Sequence, residues 1–259
     1  MNIVVLVKQV PDTWAERRLT DSDKTLDRDS VDAVINELDE YAVEEALRLK
    51  EAHGGEVTVL SMGPARTSES IRKALSMGAD KAVHVTDEAL AGSCALTTAQ
   101  VLAKAIGTLQ WDMVITGSES TDARVAAMPA MLSEHLGVPQ LSRARKVTVT
   151  DGTVTIERQT EGGYDVVAGA LPAVLSVVEK INEPRYPSFK GIMAAKSKPV
   201  TTLGIADLGL EPAQVGLAGA TSQVVEFTVR PPRQAGQIVK DEGDGGVRLV
   251  EFLASQKLI

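Results

Sequence analysis

With 259 residues, 44% of them hydrophobic, the chain can bury one large core or one core with an extension. A net charge of −8 argues against a nucleic-acid-binding surface, because phosphate contacts need clustered Lys and Arg. The single cysteine, Cys94, excludes an intramolecular disulfide and suits a reducing compartment.

The chain opens with "NIVVLV" (2–7), a continuous apolar run of strand length. The leading "MNIVVLVKQVPD" lacks the basic region and cleavage pattern of a signal peptide, and no apolar run reaches the length of a membrane span. A cytoplasmic location without direct membrane insertion is therefore expected. Residues 40–52 place Ala42, Val43, Ala46, Leu47 and Leu49 on one helical face, and "HGG" (53–55) ends that helix. "EVTVLSMG" (56–63) is the next strand, 66–77 a helix stopped by Gly78, and "KAVHVTD" (81–87) a strand. Residues 95–107 read as a helix, "WDMVITG" (111–117) as a strand, and about 123–136 as a helix stopped by Gly137. Val- and Ile-rich strands alternating with helices predict right-handed crossovers and an α/β fold, a doubly wound, mostly parallel, Rossmann-like sheet.

From 145 to 178 the helical period vanishes. "KVTVT-DG-TVTIER" places two β-rich runs around Asp-Gly, a strong hairpin signal, and "EGG" (161–163) makes another turn before "LPAVLSVV" (171–178). An antiparallel excursion on the parallel sheet follows. Beyond 200 the composition turns to Gly, Pro and small polar residues, reading as an arm with one strand at 222–230 and a last helix near 245–256. The predicted division is a domain over 1–200 and an arm over 201–259. Such an arm fits embrace of a partner or packing on the chain's own body.

Ligands of open parallel sheets bind at the carboxyl ends of the strands. Four such ends are legible: 7–12, 61–65, 85–88 and 116–123. In the last, Gly117 is followed by Ser118, Ser120, Thr121 and Asp122 ahead of a predicted helix, where free N–H groups and a positive dipole end suit a phosphate. Thr121 or Asp122 would equally serve as an ordinary helix N-cap. Gly63 at 61–65 would let a ligand approach the backbone. Neither a dinucleotide fingerprint nor a Walker A sequence is present. His53, His84 and His135 are scattered, reading as surface or capping residues, and Cys94 reads as core, so no metal site is expected. Ser118 or Ser120 with Asp122 lacks a nearby histidine, which argues against a hydrolase. The acids of 39–51 read as a solvated helix face. An aromatic-basic segment, "INEPRYPSFKGIMAAKSKP" (181–199), is broken by Pro184, Pro187 and Gly191.

"VLVKQVPD", "NELDEYAVEEALRLKE", "SMGP…IRKALSMGAD", "EGG…LPAVLSV" and "NEPRYPSFKGIMAAKSKP" together resemble the beta subunit of electron transfer flavoprotein over nearly the whole chain. The stretches 158–176 and 182–198 carry the resemblance most specifically. It implies an adenine nucleotide-binding type of domain and a non-catalytic electron-carrier subunit paired with an FAD-bearing alpha subunit. That pair would accept electrons from acyl-CoA dehydrogenases in fatty acid oxidation and pass them to a quinone oxidoreductase. The AMP contacts of the family map onto Leu6, onto Asn36, Glu37, Leu38 and Asp39, and onto Met62. They continue through Thr116, Gly117, Ser118, Glu119, Ser120, Thr121, Asp122, Ala123, Arg124, Val125, Ala126 and Ala127. Many members read G-R-Q-x-x-D-G-D-x-x-Q where this chain reads "GSESTDARVAA" (117–127). Asp122 is kept but side-chain donors are fewer, so a nucleotide would lean on backbone amides and Arg124.

The same resemblance makes 181–199 a loop that docks dehydrogenases through Tyr186, Phe189, Ile192 and Met193, with a rim of Lys190, Lys196 and Lys198. Phe189 takes the place of an anchoring Leu. Two other readings stay open: a free-standing nucleotide-binding module of stress-protein type, and a subunit of an electron-bifurcating complex with a second FAD in the nucleotide site.

Overall fold

The first strand shows how the sheet is buried on both sides. Ile3 and Val5 enter one apolar cluster and Val4 and Leu6 another, the strict alternation of a β-strand sandwiched between helices. The computed structural model describes residues 1–232, 236 and 238–259. In chain order its strands and helices begin with β1 (Asn2–Leu6), β2 (Gln9–Pro11), β3 (Ala33–Ile35), α1 (Glu37–His53), β4 (Glu56–Met62) and α2 (Ser68–Met77). Next come β5 (Lys81–Val85), α3 (Ala95–Ile106), β6 (Met113–Gly117), α4 (Met128–Leu136), β7 (Gln140–Thr150) and β8 (Thr153–Gln159). The last are β9 (Tyr164–Ala170), β10 (Ala173–Val177), α5 (Phe189–Ala195), β11 (Val200–Leu203) and α6 (Gly245–Ser255).

Nine strands form one sheet in the order β11-β5-β4-β1-β6-β10-β7-β8-β9, parallel from β11 to β7. Helices α1 and α2 cover one face, through Ala42, Val43, Ala46, Ile71 and Leu75. Helices α3 and α4 cover the other, through Val101, Ile106 and Leu132. This is the expected α/β architecture. β7 leaves the parallel sheet along its own length: it pairs in parallel with β10 and, from Ala144 onward, antiparallel with β8. The turn between β7 and β8 places Asp151 and Gly152 at φ 48° and 74°, the left-handed pair that matches a hairpin's twist. Because β4 lies on one side of β1 and β6 on the other, the direction of winding reverses between β1 and β6. Doubly wound sheets form a crevice at such a reversal, beyond the carboxyl ends of the strands.

Several local expectations give way. Residues 123–127 are not helical, because Arg124 and Ala126 take φ of 51° and 55°, and α4 starts at Met128 with Pro129 in its first turn. The segment 222–230 forms no strand despite its alternating apolar residues. A strand needs a partner, and among the described residues 222–230 pairs with none. Beyond residue 200, β11 adds to the sheet and Ile205, Leu208, Leu210 and Val215 enter the core. One compact unit therefore runs Met1–Val225, and Glu226–Ile259 forms a second, with α6 carrying exposed Val247, Leu249, Val250 and Phe252. Among the described residues no helix is long and apolar enough to cross a membrane.

Candidate functional site

The reversal between β1 and β6 gathers residues from four segments. Lys8 follows β1. Its backbone N–H donates to Asp39 Oδ2 at 2.8 Å and its carbonyl accepts from the backbone N–H of Asn36, also at 2.8 Å. Asn36, just ahead of α1, uses every polar atom of its side chain. Its Nδ2 donates to Asp39 Oδ1 and to the Glu119 carbonyl, each at 2.9 Å, and its Oδ1 accepts from Thr121 N–H at 3.0 Å. Asn36 is 1% exposed, so the amide is locked by the fold. Gly117 ends β6 against the start of α1: a Cβ there would stand 2.6 Å from Asp39 Oδ1 and 2.9 Å from the Leu38 carbonyl. Only glycine permits that approach.

Asp122 is the hinge of the charge network. Its fully buried side chain accepts from Lys8 Nζ at 2.8 Å and from Arg28 Nη2 at 2.7 Å. Lys8 Nζ also donates to Ser120 Oγ at 3.2 Å. Burial alone would raise the Asp122 carboxyl, but the Lys8 ammonium and the Arg28 guanidinium outweigh it and hold it well below the usual carboxylate range. Burial pushes Lys8 below its ordinary value, with Asp122 opposing. Burial likewise pushes Asp39 up to about 7, against the donors from Asn36 and Lys8. Arg28 belongs to the 12–32 excursion, whose carbonyl at Arg28 accepts from Arg66 Nη2 at 2.6 Å. The carboxyl ends of β1, β4 and β6 are thus laced together by side chains.

Of the residues singled out in the sequence, Asn36, Asp39, Gly117, Glu119, Ser120, Thr121 and Asp122 meet in this network. Leu38, Ser118, Glu119 and Ala126 line an adjoining cavity of about 290 Å³ with Arg143, Gln159, Val178 and Glu179. Leu6 is buried in the core with Met62 packed on the same cluster, and Thr116 spends its hydroxyl on the Gly117 carbonyl. Glu37 is exposed, receiving Thr13 Oγ1 at 3.4 Å. Ala123, Arg124, Val125 and Ala126 are exposed, and Ala127 stands at the N-cap of α4. Neither Thr121 nor Asp122 caps a helix. Gly63 has its small size consumed by the chain itself, since a Cβ would lie 2.4 Å from Thr67 Oγ1. His84 is buried with Nε2 3.0 Å from the Gly63 carbonyl, and Cys94 is half-buried at the N-cap of α3, so neither matches its expected setting. Lys8 and Arg28 are the residues the sequence reading missed. Lys8 carried a signal, the first position after a central strand; Arg28 carried none.

The second candidate region stands open. Tyr186 is 96% and Phe189 81% exposed, and Ile192 and Met193 are half exposed beside Lys190 and Lys196. Lys198 is turned inward, donating to the carbonyls of Leu75 and Ala79.

Residues 23–208 match the family model described as Electron transfer flavoprotein domain. An electron transfer flavoprotein subunit beta of Mycobacterium tuberculosis is 54% identical, over 100% of this chain and 99% of that protein. One from Thermoanaerobacterium thermosaccharolyticum is 40% identical, over the whole of both chains. The chain belongs to the electron transfer flavoprotein beta-subunit family. A further electron transfer flavoprotein relative, the caffeyl-CoA reductase-Etf complex subunit CarD of Acetobacterium woodii, is 34% identical over 92% of each chain. The family's members are electron carriers, and among the described residues of this one no cluster of His, Cys, Asp and Glu is placed to hold a metal ion.

Proposed function

We propose that this beta subunit forms a heterodimer with an FAD-bearing alpha subunit, receives electrons from acyl-CoA and related dehydrogenases, and passes them through a quinone oxidoreductase to the respiratory chain. Its own part is structural: it holds AMP in the β1/β6 crevice and docks dehydrogenases through 181–199. It works in the cytoplasm and supplies no catalytic residue.

The observation that carries the AMP assignment is the crevice itself. It stands at the reversal of the sheet, the place where doubly wound folds bind nucleotides. Two cations, Lys8 and Arg28, face one carboxylate there, and the buried Thr121 Oγ1 has no partner among the described residues. Arg124 and Ala126, in the loop that follows, take positive φ, as one residue of an anion-binding nest does. The residues therefore suit a nucleotide phosphate, with Ser120, Thr121 and the 117–127 backbone as its holders. For docking, the support is the exposure of Tyr186 and Phe189.

Mass spectrometry of ligands released by heat from the co-purified heterodimer tests the AMP assignment. One AMP per copy of this chain is expected, and no adenine nucleotide beyond the alpha subunit's FAD would remove it. A second FAD in its place would favour the bifurcating reading, which the likeness to a subunit named for a caffeyl-CoA reductase complex supports.

A further inference from the structure

Helix α5 carries the exposed apolar residues, and it is only seven residues long. A helix that short does not hold its own shape or direction in water. Its open face follows helical spacing, with Phe189, Ile192, Met193 and Lys196, while Ala195 is 3% exposed on the inner side. Gly191 lies so close to α2 that a Cβ would stand 2.4 Å from the Ser76 carbonyl. Ser188 caps the helix, its Oγ accepting from Gly191 N–H at 3.0 Å.

Two staples fix the segment at either end. At the first, Arg185 forks onto Glu44, with Nε to Oε2 at 2.7 Å and Nη2 to Oε1 at 3.1 Å, and reaches Glu51 Oε1 through Nη1 at 2.6 Å. Glu44 is 3% exposed, on a helix whose acids had read as a solvated face. Asn182 adds bonds from Nδ2 to the Tyr41 carbonyl at 3.0 Å and to Glu45 Oε2 at 3.2 Å. At the second, Lys198 donates to two carbonyls at the end of α2, Leu75 at 2.9 Å and Ala79 at 2.5 Å. A cation is well placed at a helix C-terminus.

We propose that Arg185 and Lys198 are positioning residues of the docking surface: they do not touch the partner but pin α5 to α1 and α2 so that Phe189, Ile192 and Met193 are presented ready for binding. This rests on the docking reading of 181–199. A surface held in its bound form loses less freedom on association, and a released one loses affinity without losing any contact.

The test measures flavin reduction in the heterodimer by stopped flow, against rising concentrations of a purified acyl-CoA dehydrogenase of the same organism already reduced with its acyl-CoA. Arg185→Ala and Glu44→Gln break the same staple from its two sides, and Arg48→Ala, which removes the other cation on Glu44 Oε1 (Nε at 2.8 Å), should leave coupling unchanged. Glu44 lies beneath Arg185 and cannot reach a partner. Both variants should raise the half-saturating dehydrogenase concentration by a similar factor, about threefold to tenfold, the scale of ordering one or two side chains on binding. Both should also speed hydrogen exchange at the α5 amides. Arg185→Lys should not rescue coupling, because an ammonium cannot fork onto Glu44 while also reaching Glu51. Lys198→Met, which keeps the stem and removes the donor, should act in the same direction. In a Phe189→Ala background the effects should shrink, since Phe189 is one of the three residues the staples present. Impaired coupling in Arg185→Ala with normal coupling in Glu44→Gln, or full rescue by Arg185→Lys, would make Arg185 a direct contact and overturn the proposal. If Phe189→Ala itself couples at the wild-type rate, the docking reading falls first and the staple proposal with it.

Discussion

Replacing Asp122 by Asn is the sharpest probe of the crevice. The carboxylate is fully buried, while its partners Lys8 and Arg28 are 39% and 36% exposed at the side chain. An asparagine keeps one acceptor and turns its amide donors toward a cation, so one ionic hydrogen bond is lost and the other keeps only the charge of its donor. The lost bond to a charged group contributes about 1.5 kcal/mol, the lower end because both cations regain water, and the buried amide donor left without an acceptor costs about 1.5 kcal/mol more, about 3 kcal/mol in total. For a compact unit of this size that lowers Tm by about 6–12 °C. The loss should also be local. Arg28 ties the 12–32 excursion to the 117–127 loop, so hydrogen exchange should accelerate in both segments, 94 residues apart at the bridge, and not in α2 or α3. Thermal unfolding and exchange mass spectrometry on the same preparation read both effects. A Tm within 1 °C of wild type, with unchanged exchange in both segments, would refute the clasp.

Three further outcomes follow from the same geometry. Asp39, pushed up to about 7 by burial, stays protonated in the folded chain between pH 5 and 6 while its unfolded counterpart is ionised, so stability should fall as pH rises across that window, by about 1 kcal/mol per unit. Glu45, also raised by burial, adds to this slope, Cys94 at about 6 opposes it only at higher pH, and urea midpoints of Asp39→Asn should show the slope reduced. Gly117→Ala should abolish soluble expression or nucleotide retention, because its Cβ meets backbone at Leu38 that cannot give way; a normally folded variant with full AMP content would contradict the close approach. Phe189→Ala should leave Tm unchanged within the effect of about 0.5 kcal/mol typical of surface sites, since the ring is 81% exposed, and a drop of many degrees would show that the ring is core.

The alternation of strands and helices from 2 to 117 was legible in the sequence because its causes are local. Val-Ile runs, one-sided apolar spacing and glycine stops act over a few residues, and the Asp151-Gly152 turn is encoded by two. The strand ends that meet at the reversal were legible too, since each is marked by its own apolar run and stop. Other features needed the folded chain. That Arg124 and Ala126 take left-handed backbone and keep 123–127 out of a helix is absent from the local pattern, and the residues just ahead, Glu119 and Thr121, are held by Asn36, far away in sequence. Asp39, Glu44 and Glu45 lie on a helix with the charge pattern of a solvent face, yet Lys8, Arg185 and Asn182 come down on them from other segments. Lys8 and Asp122 are 114 residues apart and meet only because β1 and β6 are neighbours in the sheet. Periodicity records which face of an element turns inward; which charges then confront one another is fixed by strand order, because a buried carboxylate is stable only where the topology delivers its cation.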